Sequence, residues 1–66
     1  MWTKDLQKQT REYFKKLPVA EMKRYNGEFG TCAFINDQYT IYDKKSDKQY
    51  TYKSIDALIK AEWAID

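Results

Sequence analysis

Lys4, Lys8, Arg11 and Lys15 recur at intervals of four, three and four, the spacing that gathers side chains along one face of a helix. A cationic stripe of this kind can hold phosphates or dock an acidic protein. A second basic point, Lys44-Lys45, follows Tyr42, whose ring could stack against a base or a partner side chain. Each feature also has a plainer reading. The stripe can be the solvated side of an ordinary helix, with Glu12 paired to Lys8 and Lys16. Lysines around an exposed hairpin can simply keep sheets from pairing edge to edge.

Other chemistry is excluded by what is missing. The chain has no histidine and one cysteine, Cys32, so it cannot assemble a Cys/His metal cage, an internal disulfide or a nucleophile activated by histidine. Its only glycines are Gly27 and Gly30, too few for a Walker loop or a dinucleotide fingerprint. Asp43 and Asp47 flank a turn, but Lys44, Lys45 and Lys48 crowd them and no calcium-loop spacing exists. The expectation is a non-enzymatic protein with no cofactor and no metal. Cys32 reads as a small core hydrophobe. Trp2 and Trp63 read as packing near the chain ends ahead of interface anchors.

The elements that must position these residues follow from periodicity. With 66 residues, 42% hydrophobic and 17% aromatic, the chain can build one small core, so residues 1–66 read as one domain. Leu6, Thr10, Tyr13, Phe14 and Leu17 share one helical face, predicting a helix from about Lys4 to Lys16, capped by Thr3, stapled by Trp2 near Leu6 and stopped by Pro18. Pro18 to Arg24 is rich in helix formers and Asn26-Gly27 can supply a left-handed stop, which predicts a second, shorter helix with Val19, Met22 and Tyr25 inward.

Beyond Phe29 the pattern becomes β-branched and aromatic. Strands are predicted at Phe29 to Ile35, Gln38 to Asp43 and Lys48 to Lys53, with turns at Asn36-Asp37 and Lys44 to Asp47. Both turns select the same inner face: Cys32, Phe34, Tyr39, Ile41, Tyr50 and Tyr52. Thr31, Ala33, Thr40, Tyr42, Gln49, Thr51 and Lys53 then face water. Ser54 caps a last helix in which Ile55, Leu58, Ile59 and Trp63 recur at helical spacing. The predicted architecture is α+β: α(α)βββα, a three-stranded antiparallel meander with helices packed on one face.

Charge is segregated along this order. Residues 1–25 carry +4, 26–43 carry −3, 44–53 carry +3 and 54–66 carry −2. Separated patches of this sort steer a partner of complementary charge. The α-meander-α order is similar to that of several small phage-encoded inhibitors, a likeness of topology only. The small fold, the absent catalytic chemistry and the separated charge patches lead to the expectation of a protein-binding module, an accessory or inhibitor of phage or mobile-element origin. The alternative is nucleic-acid binding through Lys4, Lys8, Arg11 and Lys15 with the Lys44-Lys45 tip. Tyr42, the one ring expected on the outer sheet face, belongs to the candidate protein-contact surface. No apolar run suits a membrane span or a signal peptide, and a lone cysteine fits a reducing cytoplasm. The first strand, Phe29 to Ile35, reads as an uncovered edge through which a monomer could form a weak homodimer.

Overall fold

The structure is a computed structural model that describes residues 1–66. Its elements run α1 (Lys4–Lys16), β1 (Val19–Arg24), β2 (Phe29–Ile35), β3 (Gln38–Asp43), β4 (Gln49–Tyr52), α2 (Ile55–Lys60) and β5 (Trp63–Ile65). The class is α+β, as the residue patterns predict. All five strands form one antiparallel sheet in the order β4-β3-β2-β1-β5.

Local chemistry accounts for most element boundaries. Thr3 Oγ1 accepts the Leu6 N–H at 3.2 Å and opens α1, with Asp5 in the first turn and Lys15 and Lys16 in the last to complement the helix dipole. Leu17 is extended because Pro18 follows it. Ser54 Oγ accepts the Ala57 N–H at 3.1 Å and opens α2. Asn36 and Asp37 both take positive φ, 54° and 62°, the twist that suits a two-residue hairpin. The pairs Phe34↔Tyr39, Cys32↔Ile41, Ile41↔Tyr50 and Tyr39↔Tyr52 then fall as the two turns predict.

Two segments differ from the sequence reading. The stretch after Pro18 is β1, not a helix: Ala20 and Met22 are buried while Val19 and Glu21 are exposed, a period of two that pairing with β2 imposes over a modest helical preference. Asn26-Gly27 serves as the hairpin turn, with Gly27 at φ 98° and the Arg24 N–H donating to the Glu28 carbonyl at 2.8 Å. The final helix also ends early, at Lys60. Glu62 takes φ 75°, and Trp63–Ile65 then pairs with β1. Once β1 is a strand, β2 is hydrogen-bonded on both sides. Phe29–Ile35 is therefore no edge, and a homodimer through it is overturned.

The core lies on one side of the sheet. Ala20, Met22, Cys32, Ile41, Leu58, Ile59 and Trp63 form its centre, and Tyr13 and Phe14 of α1, Ile55 of α2, and Tyr39, Tyr50 and Tyr52 pack against it. Both helices thus cover the face predicted to be inward. Cys32 is fully buried, and burial pushes its thiol up to about 12. Trp2 reaches the far end of the chain. Its indole N–H donates to the Glu62 carbonyl at 2.6 Å and its ring meets Tyr25 edge-on at 5.0 Å.

The β5 edge is closed by α1. Thr10 is fully buried; its hydroxyl accepts the Ile65 N–H at 3.2 Å and donates to the Leu6 carbonyl at 2.8 Å. A helix side chain thereby completes the hydrogen bonding of a strand that has only one neighbour. No helix is long and apolar enough to cross a membrane.

Candidate functional site

The predicted site residues fall into two groups on opposite sides of the molecule. Lys4, Lys8, Arg11 and Lys15 line the side of α1 turned away from the core. The stripe is interrupted by ion pairs: Arg11 Nη1 lies 2.5 Å from Asp56 Oδ1 at the start of α2, and Lys15 Nζ lies 3.7 Å from Glu12. Glu12 is thus paired with Lys15, not with Lys8 or Lys16. Lys4 and Lys8 have no ion partner.

Tyr42, Lys44 and Lys45 belong to the other side. Tyr42 stands on the face that no helix covers and is 48% exposed. Lys44 forms an ion pair with Glu21 of β1, and Glu21 also accepts the Thr31 hydroxyl at 3.3 Å. The Lys44 contact is the main reason the Glu21 carboxyl titrates below its ordinary range. Lys45 is exposed in the turn, its N–H donating to Asp43 Oδ1 at 2.7 Å.

On the same face as Tyr42 the structure places residues that the sequence reading did not put there. Val19 (51% exposed), Ile35 (57%) and Phe29 (41%) share its face, with Ala33 opposite Val19 in the register and Thr31 opposite Tyr42. Leu17, at the C-cap of α1, is also 49% exposed. Phe29 and Ile35 were legible from alternation with Thr31 and Ala33. Val19 was hidden because its segment was read as a helix. Scattered exposed apolar residues are ordinary, whereas a group of them on one flat, uncovered face marks a contact surface.

The opposite side holds a partly buried charge cluster. Arg24 Nε donates to the Ala61 carbonyl at 3.0 Å and Nη1 to Glu28 Oε1 at 2.9 Å, while its guanidinium lies 5.3 Å from the Tyr50 ring and 5.4 Å from Trp63. Glu28 also accepts from Asn26 Nδ2 at 2.6 Å and the Tyr50 hydroxyl at 3.0 Å. These donors, Asn26 foremost and then Tyr50 and Arg24, outweigh burial and hold the Glu28 carboxyl down from 4.5 to about 2. The same bond, with burial behind it, raises the Tyr50 hydroxyl. Every member has a partner within the cluster, so its role is to tie the β1–β2 hairpin to β4 and to the chain entering β5.

Because Glu28 titrates lower in the folded state than in the unfolded one, its contribution is fully present above about 4.5 and is lost as pH falls toward 2. Glu28→Gln should remove that component. Urea unfolding followed by tryptophan fluorescence from neutral to acid pH should show a shallower acid slope in the variant. An unchanged slope would reject the assignment.

The grooves are shallow. One of about 570 Å³ between α1 and α2 is lined by Arg11, Asp56, Ser54 and Lys60 among others, and there Arg11 is paired and Ser54 caps a helix. Another of about 530 Å³ beside α1 is lined by Asp5, Lys8, Glu12 and Lys16 with Tyr13 and Ile65. Neither brings a nucleophile and a base together. Compared with known proteins, the chain matches no family model, no curated protein and no solved structure.

Proposed function

We propose that this is a non-enzymatic protein-binding module that holds its partner on the uncovered sheet face. The observation that carries the reading is the exposure of Val19, Phe29, Ile35 and Tyr42 together on that face. Both helices pack on the other side. Flat sheet faces with a few large apolar side chains among threonines bury well against a partner of similar character. The Glu21–Lys44 ion pair lies within this face, Glu21 sharing a register row with Thr31 and Tyr42, and supplies a polar contact there. The biological setting of such a module would be that of an accessory or inhibitor protein acting in a cytoplasm.

The nucleic-acid reading draws on Lys4 and Lys8, which lack ion partners, and on Lys45. A duplex would meet only one of these groups at a time, since α1 and the Lys44-Lys45 turn lie on opposite sides. We therefore place protein binding first.

Val19→Asp combined with Ile35→Asp should leave the far-ultraviolet circular dichroism unchanged, because both side chains are already half exposed. A stoichiometric complex recovered with the unaltered chain should be lost with this variant and kept with Lys4→Glu combined with Lys8→Glu. The reverse pattern, with a steep salt dependence of binding to duplex DNA, would move the function to α1.

A further inference from the structure

The sheet has two ends, and only one of them is closed. At β5 the outward Ile65 N–H is taken by Thr10. At β4 nothing plays that part. The register identifies which β4 groups are free: Asp43 N–H donates to the Lys48 carbonyl at 3.0 Å, and hydrogen-bonded pairs in an antiparallel ladder recur at every second residue. Ile41↔Tyr50 and Tyr39↔Tyr52 are therefore the bonded pairs between β3 and β4. Gln49 and Thr51 turn their N–H and carbonyl groups away from β3, and both are exposed, as is Lys53 just past the strand.

The charge around this edge is one-sided. Lys45 and Lys48 lie at one end of β4 and Lys53 at the other, and none of the three has an ion partner. The nearby Asp47 is the only acid between Lys44 and Lys53. A second copy pairing through β4 would bring these unpaired lysines from both chains onto one ribbon, where like charges oppose each other. An acidic strand meets the opposite condition: every end charge is complementary.

We propose that the β4 edge receives an extended acidic segment of a partner protein by strand addition, with the backbone groups of Gln49, Thr51 and Lys53 as the hydrogen-bonding row and Lys45, Lys48 and Lys53 as the selectors of charge. The edge uses backbone groups, so it is independent of the apolar face around Val19 and Tyr42 and can fail or succeed separately from it. Strand addition draws its affinity from main-chain hydrogen bonds and its specificity from flanking side chains.

The test uses the full chain and the synthetic peptide Glu-Glu-Val-Thr-Val-Glu-Glu, with Lys-Lys-Val-Thr-Val-Lys-Lys as its counterpart. On adding the acidic peptide, the Gln49, Thr51 and Lys53 amides should shift in a nitrogen-proton correlation spectrum and exchange more slowly with solvent. The lysine peptide should leave them unmoved. Thr51→Pro removes one outward N–H while leaving the β3 ladder intact, as an edge strand tolerates, and should weaken binding about tenfold. N-methylation of alternate peptide amides tests the same bonds without altering the protein. Lys48→Glu with Lys53→Glu should exchange the preference between the two peptides.

Absence of binding at low salt, shifts confined to the Val19 and Tyr42 face, or equal binding of plain and N-methylated peptides would overturn the proposal. So would sedimentation showing a dimer that Thr51→Pro dissociates, which would make a second copy the occupant.

Discussion

Trp63→Ala is expected to leave the protein largely unfolded at room temperature. The indole is fully buried, its N–H donates to the Tyr52 hydroxyl at 3.1 Å, and its ring lies 5.9 Å from Tyr50 beside the Arg24 guanidinium. Removing a buried tryptophan costs about 3–5 kcal/mol. A core this small supplies a net stability of about 3–5 kcal/mol in total. The loss also falls where the fold has least redundancy, because β5 is three residues long and pairs with β1 only. Trp63→Phe keeps most of the apolar burial and removes the Tyr52 bond, so it should fold with a loss of about 1–2 kcal/mol. Urea titration by circular dichroism separates the cases. A cooperative transition for Trp63→Ala within about 1 kcal/mol of the unaltered chain would show that Trp63 does not organise the core.

Gly30→Ala should give the second largest effect. A Cβ at this position would lie 2.6 Å from Ile41 Cγ2 and 2.8 Å from the Tyr42 carbonyl oxygen. The first neighbour is a buried side chain with little room to turn, and the second is backbone in the middle of a ladder. Relief requires β2 and β3 to separate locally, with a loss of about 1–3 kcal/mol from overpacking. The greater strand tolerance of alanine over glycine, about 0.5–1 kcal/mol, offsets part of this. Gly27 provides the contrast. It has open space around it but sits at φ 98°, so Gly27→Ala carries backbone strain of about 1–2 kcal/mol and no clash. Thermal unfolding of the two variants should also differ in kind, since only Gly30→Ala presses on the core, through the buried Ile41. If Gly30→Ala were as stable as the unaltered chain, the close approach of β2 to β3 there would be wrong.

Much of the candidate surface could be derived from the residues. The alternation in 29–52 and the two turns place Tyr42, Thr31, Ala33 and Thr51 on one face without any knowledge of the helices. The basic positions of α1 follow from helical spacing in the same way. Their ion pairs do not. Arg11 meets Asp56 and Lys44 meets Glu21 across distances in sequence that no local pattern encodes, and the first of these contacts breaks the stripe that spacing alone suggests.

What the residues determined by themselves was the meander β2–β3–β4, its register, both helix caps and the choice of inner face. Those features rest on local turn geometry and on a side-chain period that a single slip would invert. Tertiary structure decided the fate of Val19–Arg24 and Trp63–Ile65. The first has helix-forming residues whose intrinsic preference, a few tenths of a kcal/mol each, yields to burial of Ala20 and Met22 against Cys32 and Trp63. The second is too short to carry a period and becomes a strand only because β1 offers it an edge. Those two additions enclose β2 and leave β4 as the open end of the sheet.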